Sequence, residues 1–167
     1  MIHFFDDEPV HSMRGIDKVP GPVDKLGIVL EPDLPSDGQR VMSFASSIVA
    51  LQSGAWRMYY TVSTAATMRI AVAESEDGLK WAKPSLGQEK FDGNDCNLLA
   101  IRGLPNGVNR YGQPQVFQLD ESSWRMYFWV NNRPFLRYTV AVSSDGLSWE
   151  VPDFEKPAIY HPIELGS

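Results

Sequence analysis

Two stretches of the chain set a hydroxyl and a carboxylate two residues apart: Ser75-x-Asp77-Gly78-Leu79-x-Trp81 and Ser143-x-Asp145-Gly146-Leu147-x-Trp149. A close Ser–Asp pair has the look of a reactive site, but its recurrence argues for architecture. The carboxylate accepts backbone N–H groups within a tight turn, the glycine supplies a positive φ, and the tryptophan buries its ring between sheets. Residues that occur only once are better placed to do chemistry. Asn109, Arg110, Gln113 and Gln115 lie at the start of one apolar strand, and Trp129, Asn131, Asn132 and Arg133 lie at the end of the next. Amides and arginine offer paired hydrogen bonds, and an aromatic face offers stacking, which together suit the hydroxyls and C–H face of a sugar. Ordinary loop polarity is the competing account of the same residues. Two carboxylates also stand outside the repeat: Asp37, in Pro35-Ser36-Asp37-Gly38-Gln39-Arg40, and Glu74, whose counterpart is Val142. The acidic start Asp6-Asp7-Glu8, with His3 and His11, lacks the fixed spacing of a metal site and reads as a solvated terminus. No metal and no cofactor is expected.

The elements that must position these residues are duplicated. Trp56-Arg57-Met58-Tyr59 returns 68 positions later as Trp124-Arg125-Met126-Tyr127, without a gap. Leu51, Val62, Arg69, Val72, Ala73 and Ser75 likewise find identical partners in Leu119, Val130, Arg137, Val140, Ala141 and Ser143. A period of this size that holds several short strands suits a propeller blade with a long loop. Helical periodicity is interrupted throughout by Pro and Gly. Strands are expected at 47–51, 56–62 and 69–73, and again at 115–119, 124–130 and 138–142, with fourth strands at 97–101 and 158–161. Alternation along the second strand puts Met58, Tyr60, Met126 and Phe128 between sheets, with Tyr59 and Tyr127 on the other face. A leading strand at about 26–32 precedes the first copy.

The expected fold is therefore all-β: propeller blades of four antiparallel strands, two blades (about 44–101 and 112–162) plus one leading strand, in a single partial domain over 1–167. Two blades form an incomplete ring and leave sheet edges and apolar faces to be covered. Either the remainder of a longer chain or self-association would cover them.

Composition narrows the partners. A net charge of −6 provides no basic patch for a phosphate backbone, so nucleic acid is not expected. No stretch approaches the roughly 18 apolar residues of a membrane-spanning helix, and the first residues lack the pattern of a signal peptide. A lone Cys96 makes no internal disulfide, and a cytoplasmic location is the expectation.

Trp-x-Met-Tyr-Tyr, followed by Arg-x-Ala-x-Ala-x-Ser-x-Asp-Gly-x-x-Trp and then Asn97-Leu98-Leu99, resembles the blades of the five-bladed propeller glycosidases. That superfamily includes glycoside hydrolase families 43, 32 and 130. The resemblance spans roughly 26–162 and rests on blade-building residues. The Ser-x-Asp-Gly turn is also similar to the Asp-box of sialidases, but it is one residue shorter and lacks the threonine. In the five-bladed family a catalytic Asp often precedes Pro at the channel end of the first strand. Tyr111-Gly112-Gln113-Pro114-Gln115-Val116-Phe117 is similar to the invertase-type segment, with Gln113 in the Asp place and Ala45 as its counterpart in the first copy. Glycosidic cleavage generally uses two carboxyl groups, and an amide can serve as neither.

The resemblance implies a carbohydrate held in the propeller channel. Asp37 is its candidate catalytic carboxylate, because the loop that carries it should open near the channel. Asn109, Arg110, Gln113, Gln115, Trp129, Asn131 and Arg133 are candidate substrate contacts. Two other readings stay open: a glycan-binding module without catalysis, and a partner-binding scaffold.

Overall fold

The computed structural model describes residues 22, 27–38 and 40–160. The described residues are all-β apart from one 3-10 turn at Pro35–Asp37. In order, the strands are β1 (Arg40–Ala50), β2 (Trp56–Ser63), β3 (Met68–Ser75), β4 (Lys90–Phe91), β5 (Asn94–Asp95) and β6 (Ile101–Arg102), followed by β7 (Tyr111–Asp120), β8 (Ser123–Asn132), β9 (Phe135–Ser143), β10 (Trp149–Glu150) and β11 (Ile159–Tyr160). One sheet runs β1-β2-β3; a second runs β6-β10-β9-β8-β7, with β11 also on β9; β4 and β5 form a small ribbon.

The two sheets match in register. Trp56 lies opposite Ser75 and Trp124 opposite Ser143, while Ser47 faces Tyr59 and Gln115 faces Tyr127. Glu74 bridges Ala82 as Val142 pairs with Glu150. The first sheet has three strands, its expected fourth at 97–101 reduced to an isolated bridge, while the second blade's is the two-residue β11. In the first blade Leu98 bridges Ala71, Val72 N–H donates to Asn97 O at 3.0 Å, and Leu99 N–H donates to Ile70 O at 2.9 Å. In the second, Ile159 lies opposite Tyr138.

The Ser-x-Asp-Gly turns are structural in both blades. Ser75 Oγ accepts from Gly78 N–H at 2.8 Å, Asp77 Oδ1 accepts from Leu79 and Lys80 N–H at 2.8 Å, and Trp81 Nε1 donates to Gly78 O at 3.1 Å. Ser143, Asp145 and Trp149 repeat the set at 2.9, 2.7 and 3.1 Å.

Three details differ from the sequence expectations. Residues 27–32 form no strand: Gly27 sits at φ +86°, Pro32 has no N–H to donate, and Asp33 N–H turns back to Glu31 O. The first strands begin earlier than the alternating core implies, because β1 and β7 continue across β-bulges, between Met42 and Ser47 and between Gly112 and Gln115. Finally, only Met126 and Phe128 pack between the two sheets, where they meet Tyr59. Met58 and Tyr60 face the opposite side of the first sheet, under Leu30, Trp81 and Phe91. The first blade buries both parities of its second strand, one on each face, whereas the second blade buries only the parity of Trp124, Met126, Phe128 and Val130, so residues equivalent in sequence lie on different faces of the inter-sheet core.

The blades also touch through polar contacts. Ser47 Oγ accepts from Val116 N–H at 2.8 Å, and β6 pairs in parallel with β10, setting Ile101 beside Trp149. Trp149 is buried and stands edge-on to Tyr59, ring centroids 6.1 Å apart. Burying such a ring is worth about 2–3 kcal/mol, and the edge-on geometry adds about 0.5–1.5 kcal/mol.

Candidate functional site at the Gln113 bulge

The bulge in β7 is where the unmatched residues meet. Gly112 stands opposite Trp129, and Trp129 opposite Tyr138, so the three lie in one row across β7, β8 and β9. Gln113 and Pro114 then occupy the space across from a single residue, Phe128. Gln113 has φ +57°, a left-handed conformation in a non-glycine residue. Such a conformation costs about 1–2 kcal/mol and persists only where its surroundings hold it.

Those surroundings are specific. Gln113 N–H is turned into the first blade, donating to Thr61 Oγ1 at 2.8 Å. Gly112 approaches Thr61 so closely that a Cβ would lie 2.5 Å from Thr61 Cγ2. On the side-chain end, Tyr138 hydroxyl donates to Gln113 Oε1 at 3.2 Å. The Trp129 ring lies over Tyr138, centroids 5.0 Å apart and tilted by 47°. The result is a half-buried amide fixed by a phenol, flanked by an indole.

The other candidates gather round the same end of the sheet. Asn109 is exposed and Arg110 half-buried; Met68 N–H donates to Asn109 O at 3.0 Å and Asn131 N–H to Arg110 O at 2.9 Å, which ties both blades to this corner. Asn109 N–H is held by Asn132 Oδ1 at 3.0 Å. Asn131 is exposed, and Arg133 is exposed in the two-residue link from β8 to β9. Gln115 lies beyond the bulge, exposed and across from Tyr127.

Asp37 is elsewhere. It is fully buried at the end of the 3-10 turn rather than in an open loop. Its Oδ2 receives Lys83 Nζ at 2.7 Å and Leu34 N–H at 3.0 Å, and its Oδ1 receives the Tyr60 hydroxyl at 3.3 Å. Asn97 Nδ2 reaches Tyr60 Oη at 2.7 Å and Val72 O at 2.8 Å. Burial, and after it the Asp37 carboxylate, pushes the Tyr60 phenol well up, which keeps it a donor. Tyr60 and Thr61 are neighbours on β2 and point to opposite faces, so Asp37 and Gln113 lie on opposite sides of the first sheet. Glu74, the other carboxylate outside the repeat, is committed to Arg57 through two contacts of 2.8 Å.

Tyr138 was missed in the sequence. Its signal was available, since its counterpart 68 positions earlier is Ile70, as Trp129 answers to Thr61. Lys83 and Asn97 lie beyond the stretch from Leu51 to Trp81 over which the repeat aligns, so no counterpart marks them. Among the described residues no cluster of His, Cys, Asp and Glu could hold a metal ion, and no helix is long and apolar enough to cross a membrane. The acidic start with His3 and His11 lies outside the described residues.

No family profile and no curated protein sequence matches this chain. Among solved structures, the chain is similar to a glycosyl hydrolase from Bacteroides ovatus, at 19% identity and a TM-score of 0.46, over 70% of this chain and 31% of that one. It is also similar to a protein of Bacteroides ovatus ATCC 8483 provisionally classed as a glycoside hydrolase, at 19% identity and a TM-score of 0.52, over 83% of this chain and 43% of that one. The chain thus spans less than half of either structure. The second likeness is one of fold: two antiparallel, blade-like sheets of the kind found in a glycoside-hydrolase-like protein.

Proposed function

We propose that this glycoside-hydrolase-like chain binds a carbohydrate at the Gln113 end of its second blade. Gln113 carries the reading: it is a strained non-glycine residue braced by Tyr138 beside Trp129, at the position where the glycosidase resemblance implies the catalytic Asp. With Oε1 engaged by Tyr138, its Nε2 is the donor left to meet a sugar hydroxyl. Trp129 offers a face for the C–H side of the ring, and Asn131, Arg133, Asn109 and Arg110 supply further donors at the rim. Gln115 would meet a longer oligosaccharide.

The reading is binding rather than cleavage. Hydrolysis would draw on Asp37, whose carboxylate is buried against Lys83, Tyr60 and Leu34, and on a second carboxyl group beside the scissile bond.

Calorimetric titration with pentose and hexose oligosaccharides tests this. Gln113→Ala and Trp129→Ala should each weaken binding about tenfold, the equivalent of roughly 1.4 kcal/mol. Gln113→Gly relieves the left-handed strain but adds backbone entropy, so its stability should stay within about 1 kcal/mol of the parent while affinity is lost. Affinity unchanged in these variants, or none for any glycan, would remove the reading. Turnover of aryl glycosides that disappears in Asp37→Asn would replace it with catalysis.

A further inference from the structure

One interface holds the two blades together, and among the described residues both of its halves recur with exposed apolar side chains and no matching blade against them. In the existing interface, Tyr59 hydroxyl donates to Gly146 O at 2.7 Å and Arg57 Nη1 to Asp145 O at 3.1 Å. The counterparts of Tyr59 and Arg57 are Tyr127 and Arg125, on the far face of the second sheet. The counterparts of Gly146 and Asp145 are Gly78 and Asp77, at the turn end of the first sheet.

The space round these residues matches the pattern. A Cβ on Gly146 would lie 2.8 Å from the Tyr59 hydroxyl, whereas a Cβ on Gly78 would meet nothing within 4 Å. Val116 and Trp124 are 6% and 4% exposed in the interface; their counterparts Ile48 and Trp56 are 53% and 40% exposed. On the other half, Val49 and Leu51 pack into the inter-sheet core, while their counterparts Phe117 and Leu119 are 52% and 57% exposed. Apolar side chains of this size, exposed together on a sheet face, mark a contact surface.

We infer that a second copy of this chain seats the turn end of its first blade on the second blade of this one, head to tail. Tyr127 hydroxyl then meets the Gly78 carbonyl of the second copy, and Arg125 meets the Asp77 carbonyl of the second copy. The occupant is a copy because the chain itself carries both complementary surfaces, in the residue types that already bind each other within it. The contact is heterologous, so it leads to a closed ring or to an open chain of copies. The chain's own Leu30, Trp81 and Phe91 already cover Met58 and Tyr60 on the first sheet's outer face, so the surface left for the second copy is Ile48, Trp56 and the Gly78 turn.

Sedimentation velocity over a concentration series provides the test, with Ile48→Lys and Leu119→Lys, two exposed positions, as variants. The parent chain should exceed its 18.7 kDa monomer mass as concentration rises. Each variant alone should remain monomeric. Their equimolar mixture should form a dimer and stop there, because each contributes one intact half. A parent that stays monomeric at its highest soluble concentration would overturn the inference. So would disruption by Leu119→Lys without disruption by Ile48→Lys, or a mixture of the two that fails to pair.

Discussion

Asp145 illustrates how a single carboxylate is spent on shape. Burial pulls its pKa upward, but the N–H groups of Ser148 and Leu147, with the Ser148 and Ser143 hydroxyls, outweigh that and hold it at about 2, below the ordinary 3.8. Because the folded value is depressed, the contribution to stability is fully present above pH 3.8 and is lost as pH falls through about 2. Thermal melts between these limits should show a falling midpoint, and Asp145→Asn, which keeps an acceptor oxygen but does not titrate, should flatten that fall. An equally steep fall in the variant would mean the turn does not report on this group. Asp77 is lowered in the same sense, by the N–H groups of Lys80 and Leu79 first, so the flattening is partial. At the same scale, Gln113 and Trp129 were legible in the sequence because they break the repeat. Asp37 was legible only as a carboxylate: its burial depends on Lys83, 46 positions away, and on which face of β2 Tyr60 takes, and neither follows from local residue types.

Strand by strand, the duplication predicts what the ladders show wherever side chains alternate cleanly, as from Trp56 to Val62 and from Trp124 to Val130. It predicts less where the backbone departs from the pleat. Alternation breaks at the β1 and β7 bulges, so both first strands looked shorter than they are, and the first blade's bulge holds more residues than the second's. The segment at 27–32 has the apolar run of a strand, but Gly27 and Pro32 deny it a ladder. The repeat also supplies its own control. Gly78 and Gly146 share φ values of +74° and +71°, so alanine at either should cost about 1–2 kcal/mol through the backbone. Gly146→Ala must additionally displace the Tyr59 hydroxyl and the Arg57 guanidinium, 2.8 and 3.0 Å from the new Cβ. In chemical denaturation of dilute protein it should therefore lose about 1–3 kcal/mol more than Gly78→Ala. Equal losses would mean the blade interface contributes little.

At the scale of the whole molecule, two sheets enclose one apolar core, and the polar Gln113 row sits at one end of their seam while the Asp-Gly turns sit at the other. That division explains why residues so similar in type have different roles: hydroxyl and carboxylate close the turns, and amide and indole face the open end. In the proposed function the open end receives a sugar. Amide and indole N–H shifts recorded during oligosaccharide titration test it most directly. Saturable changes should be confined to Gln113, Trp129, Tyr138 and the Asn131–Arg133 rim, with the Asp37–Lys83 region unmoved. Shifts centred on Asp37, or no shift with any glycan at saturating concentration, would contradict it.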